Sequence, residues 1–234
     1  MYYGLSIAAG DFIFILNSDD WYEDSAIEQL LNAVVRCDAD VAHADACYVD
    51  SFGKKLHIEK AWLHDGIYTR GAPLRHETML VSKNAYEQVG EYDESYKILS
   101  DYILMISLYD AGLKFIHVDI PLLFFRTTGI SNNAVATKEI ERARLFSRIF
   151  PFLDSDDLSI LKKHGRLDRA TRLKMLSKHK GKSELFARSM AFNIADFQVR
   201  EGDRNIKGNS FTTLNRKILN TIKAIAHQYE KRSW

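Results

Sequence analysis

Residues 12–20 read FIFILNSDD, an apolar run of five residues followed by a polar tetrad. The first five residues, Phe12–Leu16, are apolar and rich in β-branched and aromatic side chains, which predicts a buried central strand of a parallel sheet. The polar tetrad Asn17-Ser18-Asp19-Asp20 follows at once. Ligands of open α/β sheets bind beyond the carboxyl ends of strands, and carboxylates placed there can hold a divalent cation. A turn in which Asp and Asn cap the next helix is the alternative, and the tetrad alone leaves both open.

Alternating strands and helices continue on the C-terminal side of this stretch. Ser25 and Glu28 have the spacing of a capping box and predict the start of a helix. Its apolar face is predicted to hold Ile27, Leu30, Leu31 and Val34. Further strands are predicted at 41–49, 78–81, 114–118 and 122–126, and further helices at 84–89 and 100–111, the latter amphipathic. The alternation predicts an α/β sheet, whereas residues 137–150 and most of 158–228 favour helices only.

The composition is that of a globular protein, with 46% hydrophobic and 27% charged residues in 234, which excludes general disorder. Two cysteines, Cys37 and Cys47, have no CxxC spacing, so we expect no disulfide framework and no structural zinc. A reducing cytoplasm fits this usage. The longest apolar runs have strand length, well short of the roughly 20 residues that span a bilayer.

Charge is distributed unevenly along the chain. Residues 1–159 carry a net charge of −11 and residues 160–234 a net charge of +12. A basic helical tail on an acidic body predicts two modules. The tail is interpreted as a surface that binds anionic membranes, and a helical cap that pairs its charge with the acidic body is the alternative. Nucleic acid is not expected as a partner, because the tail has few aromatic residues and no recognisable motif.

Three further clusters accompany the tetrad: His76-Glu77-Thr78 before an apolar strand, Gly90-Glu91-Tyr92-Asp93, and Ser100-Asp101-Tyr102 at a helix start. An acid in the first helical turn stabilises the helix dipole, which is a structural explanation for Asp101. The same position keeps a carboxylate ionised, as a general base requires. A polar, glycine-containing loop follows the last strand at residues 126–131.

Taken in order, these elements resemble family 2 glycosyltransferases of the GT-A type over residues Gly4–Ser131. The resemblance is carried by residues 8–13 (AAGDFI), 16–20 (LNSDD), His76, 90–93 (GEYD), 100–102 (SDY) and 129–131 (GIS). It implies a partial GT-A, Rossmann-like mixed sheet with helices, followed by a helical tail. It also implies inverting transfer of a sugar from a nucleotide-diphosphate sugar to a hydroxyl of a glycan or lipid-linked acceptor, in cell-surface polysaccharide synthesis.

The resemblance assigns roles residue by residue. Asp19, with Asp20 beside it, would hold Mn²⁺ or Mg²⁺, and Asn17, Ser18 and Asp19 would contact the donor. Asp101 would be the catalytic base, with Asp93 as the next candidate. Acceptor contacts would come from His76, Tyr92, Asp93 and Arg126. An enzyme that acts on lipid-linked acceptors would be cytoplasmic and peripheral on the inner face of the cell membrane.

Two departures from the family pattern qualify the prediction. Asn17 stands where the family usually has the first Asp of its metal motif. The family also begins with βα units that hold the uracil, and these are expected to be missing here, which predicts a chain with little or no activity. Residues 1–133 are therefore predicted to form an N-terminally truncated glycosyltransferase domain and 134–234 a basic helical region. An inactive relic or a partner-binding module is the alternative function.

Overall fold

The computed structural model describes residues 2–63, 65–128, 134–162 and 167–190. The strands are β1 (Phe12–Phe14), β2 (Trp21–Tyr22), β3 (Val41–Val49), β4 (Lys55–Glu59), β5 (Met79–Ser82) and β6 (Phe115–Arg126). The helices are α1 (Tyr2–Ile7), α2 (Ala26–Cys37), α3 (Ile67–Arg70), α4 (Lys83–Val89), α5 (Ser100–Asp110), α6 (Val135–Ile149), α7 (Ser155–Lys162) and α8 (Arg169–Lys178). Residues 184–190 are also helical, and a 3₁₀ turn spans His76–Thr78. The predicted loop at 129–131 and the tail beyond residue 190 lie outside the described residues.

Within the described residues, six strands form one mixed sheet in the order β1-β5-β3-β6-β2, with β4 also paired to β3. Only β3 and β6 run parallel, and the other pairs are antiparallel. All nine residues of β3 are buried. The mixed sheet with its helices confirms the predicted α/β class.

The prediction that Phe12–Leu16 is a central parallel strand is wrong. In the described part of the sheet, β1 lies at one end, pairs antiparallel with β5 alone, and is only half-buried. The central strand is β3, whose three alanines contribute little bulk. An apolar run of five residues shows that a strand is buried against something, but it does not say how many neighbours the strand has.

Helix α2 packs on the sheet with a face that is shifted from the predicted one: Leu30 and Val34 are buried as predicted, but Ile27 and Leu31 are not. Ala26, Leu30, Ala33 and Val34 are buried against Ala42, Ala44, Leu80 and Leu122. Ile27 and Leu31 are 57% and 41% exposed. The predicted capping box is absent, because the Ser25 hydroxyl accepts a hydrogen bond from the Gln29 side chain at 2.6 Å rather than from the backbone. The small residues on the inner face let the helix lie close to the alanine-rich strand.

Two other elements differ from the sequence prediction. The strands predicted at 114–118 and 122–126 are one strand, β6, whose pairing with β3 shifts register around Asp45 and Pro121. Helix α5 buries six of its eleven residues on all sides, so it is a core helix and not an amphipathic one. Strand β4 was not predicted, although its sequence KLHIE alternates polar and apolar residues as a strand does; all five residues are exposed.

The chain divides into two compact units, residues 1–63 with 71–145 and residues 64–70 with 146–234. The first unit holds the sheet. In the second unit, Phe150, Phe152, Phe186 and His179 form an aromatic cluster, and Lys178 bridges Asp154 and Asp157. Across the described residues, no helix combines the length and the apolar character needed to cross a membrane.

Candidate active site

The first unit contains a cavity of about 640 Å³. It lies where β1, the 3₁₀ turn, α5 and α6 bring chain segments together that are far apart in sequence. The predicted residues that line it are Asn17, Ser18, Asp19, Asp20, His76 and Asp101. Other polar residues on its wall, to which the sequence analysis assigned no role, are Glu59, Arg75, Glu77, Tyr102, Thr128, Lys138 and Arg142. The structure therefore unites the tetrad, the histidine and the helix-start aspartate that the sequence had only placed in order.

The two carboxylates of the tetrad sit in different environments. Asp19 is exposed, whereas Asp20 is 8% exposed. Asp20 Oδ1 accepts the backbone N–H of Arg126 at 2.8 Å, and its buried Oδ2 has no hydrogen-bond partner among the described residues. Burial, with smaller contributions from Glu77 and Asp19, raises the pKa of Asp20 to about 6. Two adjacent carboxylates with an unsatisfied oxygen suit a hard divalent cation, which prefers oxygen ligands.

Glu77 links the tetrad to the histidine. Its carboxylate is 2% exposed, Oε1 accepts a hydrogen bond from the Asn17 side-chain amide, and Oε2 lies 3.3 Å from His76 Nδ1. This contact explains why an amide is stable at position 17. An aspartate there would put a second carboxylate against a buried one, and like charges in that setting repel strongly. Only the contact between positions 60 residues apart identifies Glu77, so the sequence alone gave no signal for it.

Asp101 and His76 form the second half of the site. His76 Nδ1 lies 3.3 Å from Asp101 Oδ2, and Asp101 Oδ1 accepts the N–H of Tyr102 at 2.6 Å. Burial favours the neutral acid, but the hydrogen bond and charge of His76 outweigh it and lower the pKa of Asp101. Burial likewise opposes a charged imidazole, and Asp101 and Glu77 outweigh it, so the pKa of His76 is raised. The Asp101 side chain stays 28% exposed and lines the cavity, so it is accessible from there.

The backbone that carries Asp101 is held from helix α6. The buried carboxylate of Glu141 accepts the N–H groups of Lys97, Ile98 and Leu99 at 2.7, 3.0 and 2.9 Å. These three residues lead directly into α5, whose own N-cap residue, Leu99, has no capping side chain. A carboxylate beside a helix N-terminus also interacts favourably with the helix dipole. Glu141 thus acts as a cap supplied by another helix.

Three predicted acceptor residues do not line the cavity. Tyr92 is buried, with its ring 6.3 Å from that of His76. Asp93 accepts hydrogen bonds from the N–H and hydroxyl of Ser95, which is a local turn. The Arg126 guanidinium lies 5.3 Å from the Trp21 ring, and it is the backbone of Arg126 that reaches the site through Asp20. Their side chains are used in packing and turn formation, so acceptor binding by them stays a prediction.

A second acidic and histidine group lies outside the cavity lining. Asp45, His117 and Asp119 place potential ligand atoms within 4.8 Å of one another. However, the Lys60 ammonium lies 2.7 Å from Asp45 Oδ2 and 2.6 Å from Asp119 Oδ1, and His117 Nε2 lies 2.9 Å from Asp45 Oδ1. The lysine already supplies the positive charge that these carboxylates need. This group is therefore an ion network of the sheet.

Comparison with known proteins agrees with the geometry. The model of the family "Glycosyl transferase family 2" matches residues 1–86. Among solved structures, S. aureus TarS 1-349 in complex with UDP-GlcNAc is similar, with a TM-score of 0.52 and 13% identity over 82% of this chain. TarS 1-349 in complex with UDP has a TM-score of 0.45 and 13% identity over 78% of this chain. No curated protein matches the sequence.

The chain spans 59% of the first TarS structure and 52% of the second. At 13% identity the likeness concerns the fold alone. The mixed sheet with its helices is of the glycosyltransferase GT-A type. The matched residues 1–86 include the tetrad and the Asn17–Glu77 contact.

Proposed function

We propose that this chain carries the catalytic site for transfer of a sugar from a nucleotide-diphosphate sugar to a hydroxyl of a glycan or lipid-linked acceptor, with inversion at the anomeric carbon. The observation that carries the proposal is the meeting of Asp19, Asp20 and Asp101 on one cavity. Inverting transfer needs a group that stabilises the leaving diphosphate and, on the other side of the sugar, a base for the incoming hydroxyl. UDP-GlcNAc is the first donor to test, because it is the ligand named for the structurally similar TarS.

The tetrad is proposed to form the donor end of the site. Asp19 and Asp20 would hold Mn²⁺ or Mg²⁺, and Asn17 and Ser18 would contact the donor. A cation bound there supplies Lewis-acid stabilisation of the diphosphate charge. Glu77 fixes the Asn17 amide, and the Arg126 N–H fixes Asp20, so the tetrad is held before the donor arrives. Such preorganisation removes reorganisation from the reaction step.

Asp101 is proposed to be the base at the acceptor end. Its lowered pKa keeps it ionised at neutral pH, so it can accept the proton of the attacking hydroxyl. His76 positions the Asp101 carboxylate through Nδ1, while His76 Nε2 is buried without a hydrogen-bond partner among the described residues. A bound acceptor or diphosphate oxygen would satisfy that nitrogen, which supports the predicted substrate contact of His76.

The test compares two variants with matched controls, and it measures binding separately from transfer. Asp19→Ala should abolish the metal-dependent part of UDP binding, whereas the exposed Asp24→Ala should not. Asp101→Asn should leave UDP binding intact and lower turnover by about 10²–10⁴-fold, the usual contribution of a general base. Asp110→Asn, at the other end of the same helix, is its control. Equal UDP binding by Asp19→Ala and the parent chain, with and without Mn²⁺, would refute the donor assignment.

A location at the inner face of the cell membrane is proposed for the same enzyme. The support is the net charge of +12 on residues 160–234, since each Lys or Arg near an anionic bilayer adds about 1 kcal/mol of attraction. Flotation with anionic liposomes should depend on anionic lipid and weaken with salt. Absence of binding at low salt would remove the membrane from the proposal while leaving the catalytic assignment untouched.

A further inference from the structure

The cavity is lined by three cationic side chains that the roles proposed for the tetrad and Asp101 do not use. Arg75, Lys138 and Arg142 all line it. Lys138 and Arg142 are four residues apart on α6, so they project from the same face of that helix. Arg142 borders Gly71, where a Cβ atom would lie 3.9 Å from its Nη2 atom. Gly71 has φ +116°, a backbone conformation that disfavours side chains, so this part of the wall is formed by backbone.

Arg75 and Lys138 differ in how far neighbouring residues already neutralise their charge. Arg75 pairs with Glu59 at 3.2 Å and stacks over the rings of Phe125 and Tyr48 at 4.5 and 5.1 Å. Within the described residues, no ion pair or side-chain hydrogen bond holds the Lys138 ammonium. Burial, followed by the like charges of Arg75 and Arg142, lowers the pKa of Lys138, and Asp101 only partly opposes this. An anion beside Lys138 would relieve that repulsion.

Contacts of α6 place Lys138 and Arg142 near Asp101. Glu141, on the same helix, accepts the backbone N–H groups of residues 97–99, which lead directly into α5 and Asp101. The charge of Asp101 acts on Lys138, and that of Arg142 acts on Tyr102, the next residue of α5. Lys138 and Arg142 therefore lie at the Asp101 end of the cavity.

We propose that Lys138 and Arg142 form an anion subsite for the acceptor. This inference rests on the proposed function for one point, namely that Asp101 marks the acceptor end. The subsite binds a phosphate or a carboxylate group carried by the acceptor close to the hydroxyl that Asp101 deprotonates. Both anions accept charge-assisted hydrogen bonds from lysine and arginine. The acceptor class is thus a hydroxyl compound that carries a phosphate or a carboxylate, and a neutral sugar lacks the group that the subsite recognises.

Binding of small probes to the full chain tests the subsite without any need for catalysis. The probes are glycerol 3-phosphate with glycerol as its neutral counterpart, and glucuronate with glucose, each measured by ligand-observed NMR with neither metal nor donor present. One or both anionic probes should bind, more weakly at higher salt, and the neutral ones should not. The comparison of the two anionic probes identifies phosphate or carboxylate as the preferred group.

Substitutions of Lys138 test whether the anionic probes bind at the proposed subsite. Lys138→Ala should weaken the preferred anionic probe about tenfold, as expected for the loss of one charge-assisted hydrogen bond, and Lys138→Arg should retain most of the affinity. Lys83→Ala, an exposed lysine outside the cavity, should change nothing. Equal binding of the probe by Lys138→Ala and the parent chain would overturn the inference, as would absence of binding by both anionic probes.

UDP binding in the presence of Mn²⁺ separates this inference from the proposed function. Lys138→Ala should leave it unchanged, because the subsite lies at the acceptor end. If Lys138→Ala weakens UDP binding and spares glycerol 3-phosphate and glucuronate, the cations serve the donor and the inference is wrong. If Asp19→Ala leaves UDP binding unchanged while Lys138→Ala still weakens the anionic probe, the donor assignment fails and the anion subsite stands.

Discussion

Glu141 provides the sharpest test of how the fold positions Asp101. Its buried carboxylate accepts three backbone N–H groups at 2.7–3.0 Å from the segment that leads into α5. A hydrogen bond to a charged group contributes about 1.5–3 kcal/mol, so three would give roughly 4.5–9 kcal/mol if they were independent. They are not independent, and the Lys97 and Ile98 amides are partly open to water. We therefore expect Glu141→Ala to lower the free energy of unfolding by about 3–5 kcal/mol, the usual cost of breaking a buried charged network.

The isosteric variant Glu141→Gln should have a smaller effect. One carboxamide oxygen can still accept, but the amide nitrogen would face an N–H donor, so we expect a loss of about 2–3 kcal/mol. Urea unfolding followed by circular dichroism measures both variants, and the midpoint should fall with little change in slope. Since domains of this size have about 5–15 kcal/mol in total, Glu141→Ala should remain folded but marginal in buffer.

Glu139→Ala is the matched control, because Glu139 is on the same helix and makes no hydrogen bond or ion pair within the described residues. It should stay within about 0.5 kcal/mol of the parent chain. A Glu141→Ala variant that is equally unaffected would refute the reasoning. In a transfer assay, Glu141→Gln should lower kcat more than it weakens UDP binding, because it disturbs the backbone before Asp101 and not the tetrad.

Two further predictions concern stability. His43 is 3% exposed, and burial, together with the neighbouring His117, lowers its pKa to about 3 from an ordinary value of 6.5. The unfolded chain therefore binds a proton at this histidine that the folded chain does not bind, so the free energy of unfolding falls as pH falls from 6.5 towards 3, by about 2 kcal/mol between pH 7 and pH 5. In urea titrations at the two pH values, His43→Phe should remove this part of the acid sensitivity. Equal losses in the variant and the parent chain would contradict this prediction. The Tyr22 hydroxyl lies 2.7 Å from the Ile15 carbonyl oxygen and 2.9 Å from that of Glu77. Tyr22→Phe should cost about 1–2 kcal/mol by thermal unfolding, and no loss would show that water replaces the hydroxyl.

Sequence patterns predicted much of the local structure. Strand β3 has the predicted bounds, and α4 and α5 end within a residue or two of theirs, because these elements follow from apolar runs, propensities and glycine stops. The tetrad and Asp101 were likewise recognisable, since a polar turn after a strand and an acid at a helix start are local features. The helix faces were predicted less well, as Ile27 and Leu31 show, because apolarity does not reveal which side of a helix meets the sheet.

The sequence by itself determined the α/β class, the family resemblance and the residue types of the site, because each depends on neighbours within a few positions of the chain. Only the tertiary structure placed β1 at the end of the sheet, joined Asn17 to Glu77, and set Glu141 against the backbone before Asp101. It also brought Lys138 and Arg142 into the cavity that holds the tetrad and Asp101. These contacts link positions tens of residues apart, and their energies come from burial and from the pairing of charges across the fold. No local pattern encodes such pairs, since either partner looks like an ordinary surface residue until the chain has packed.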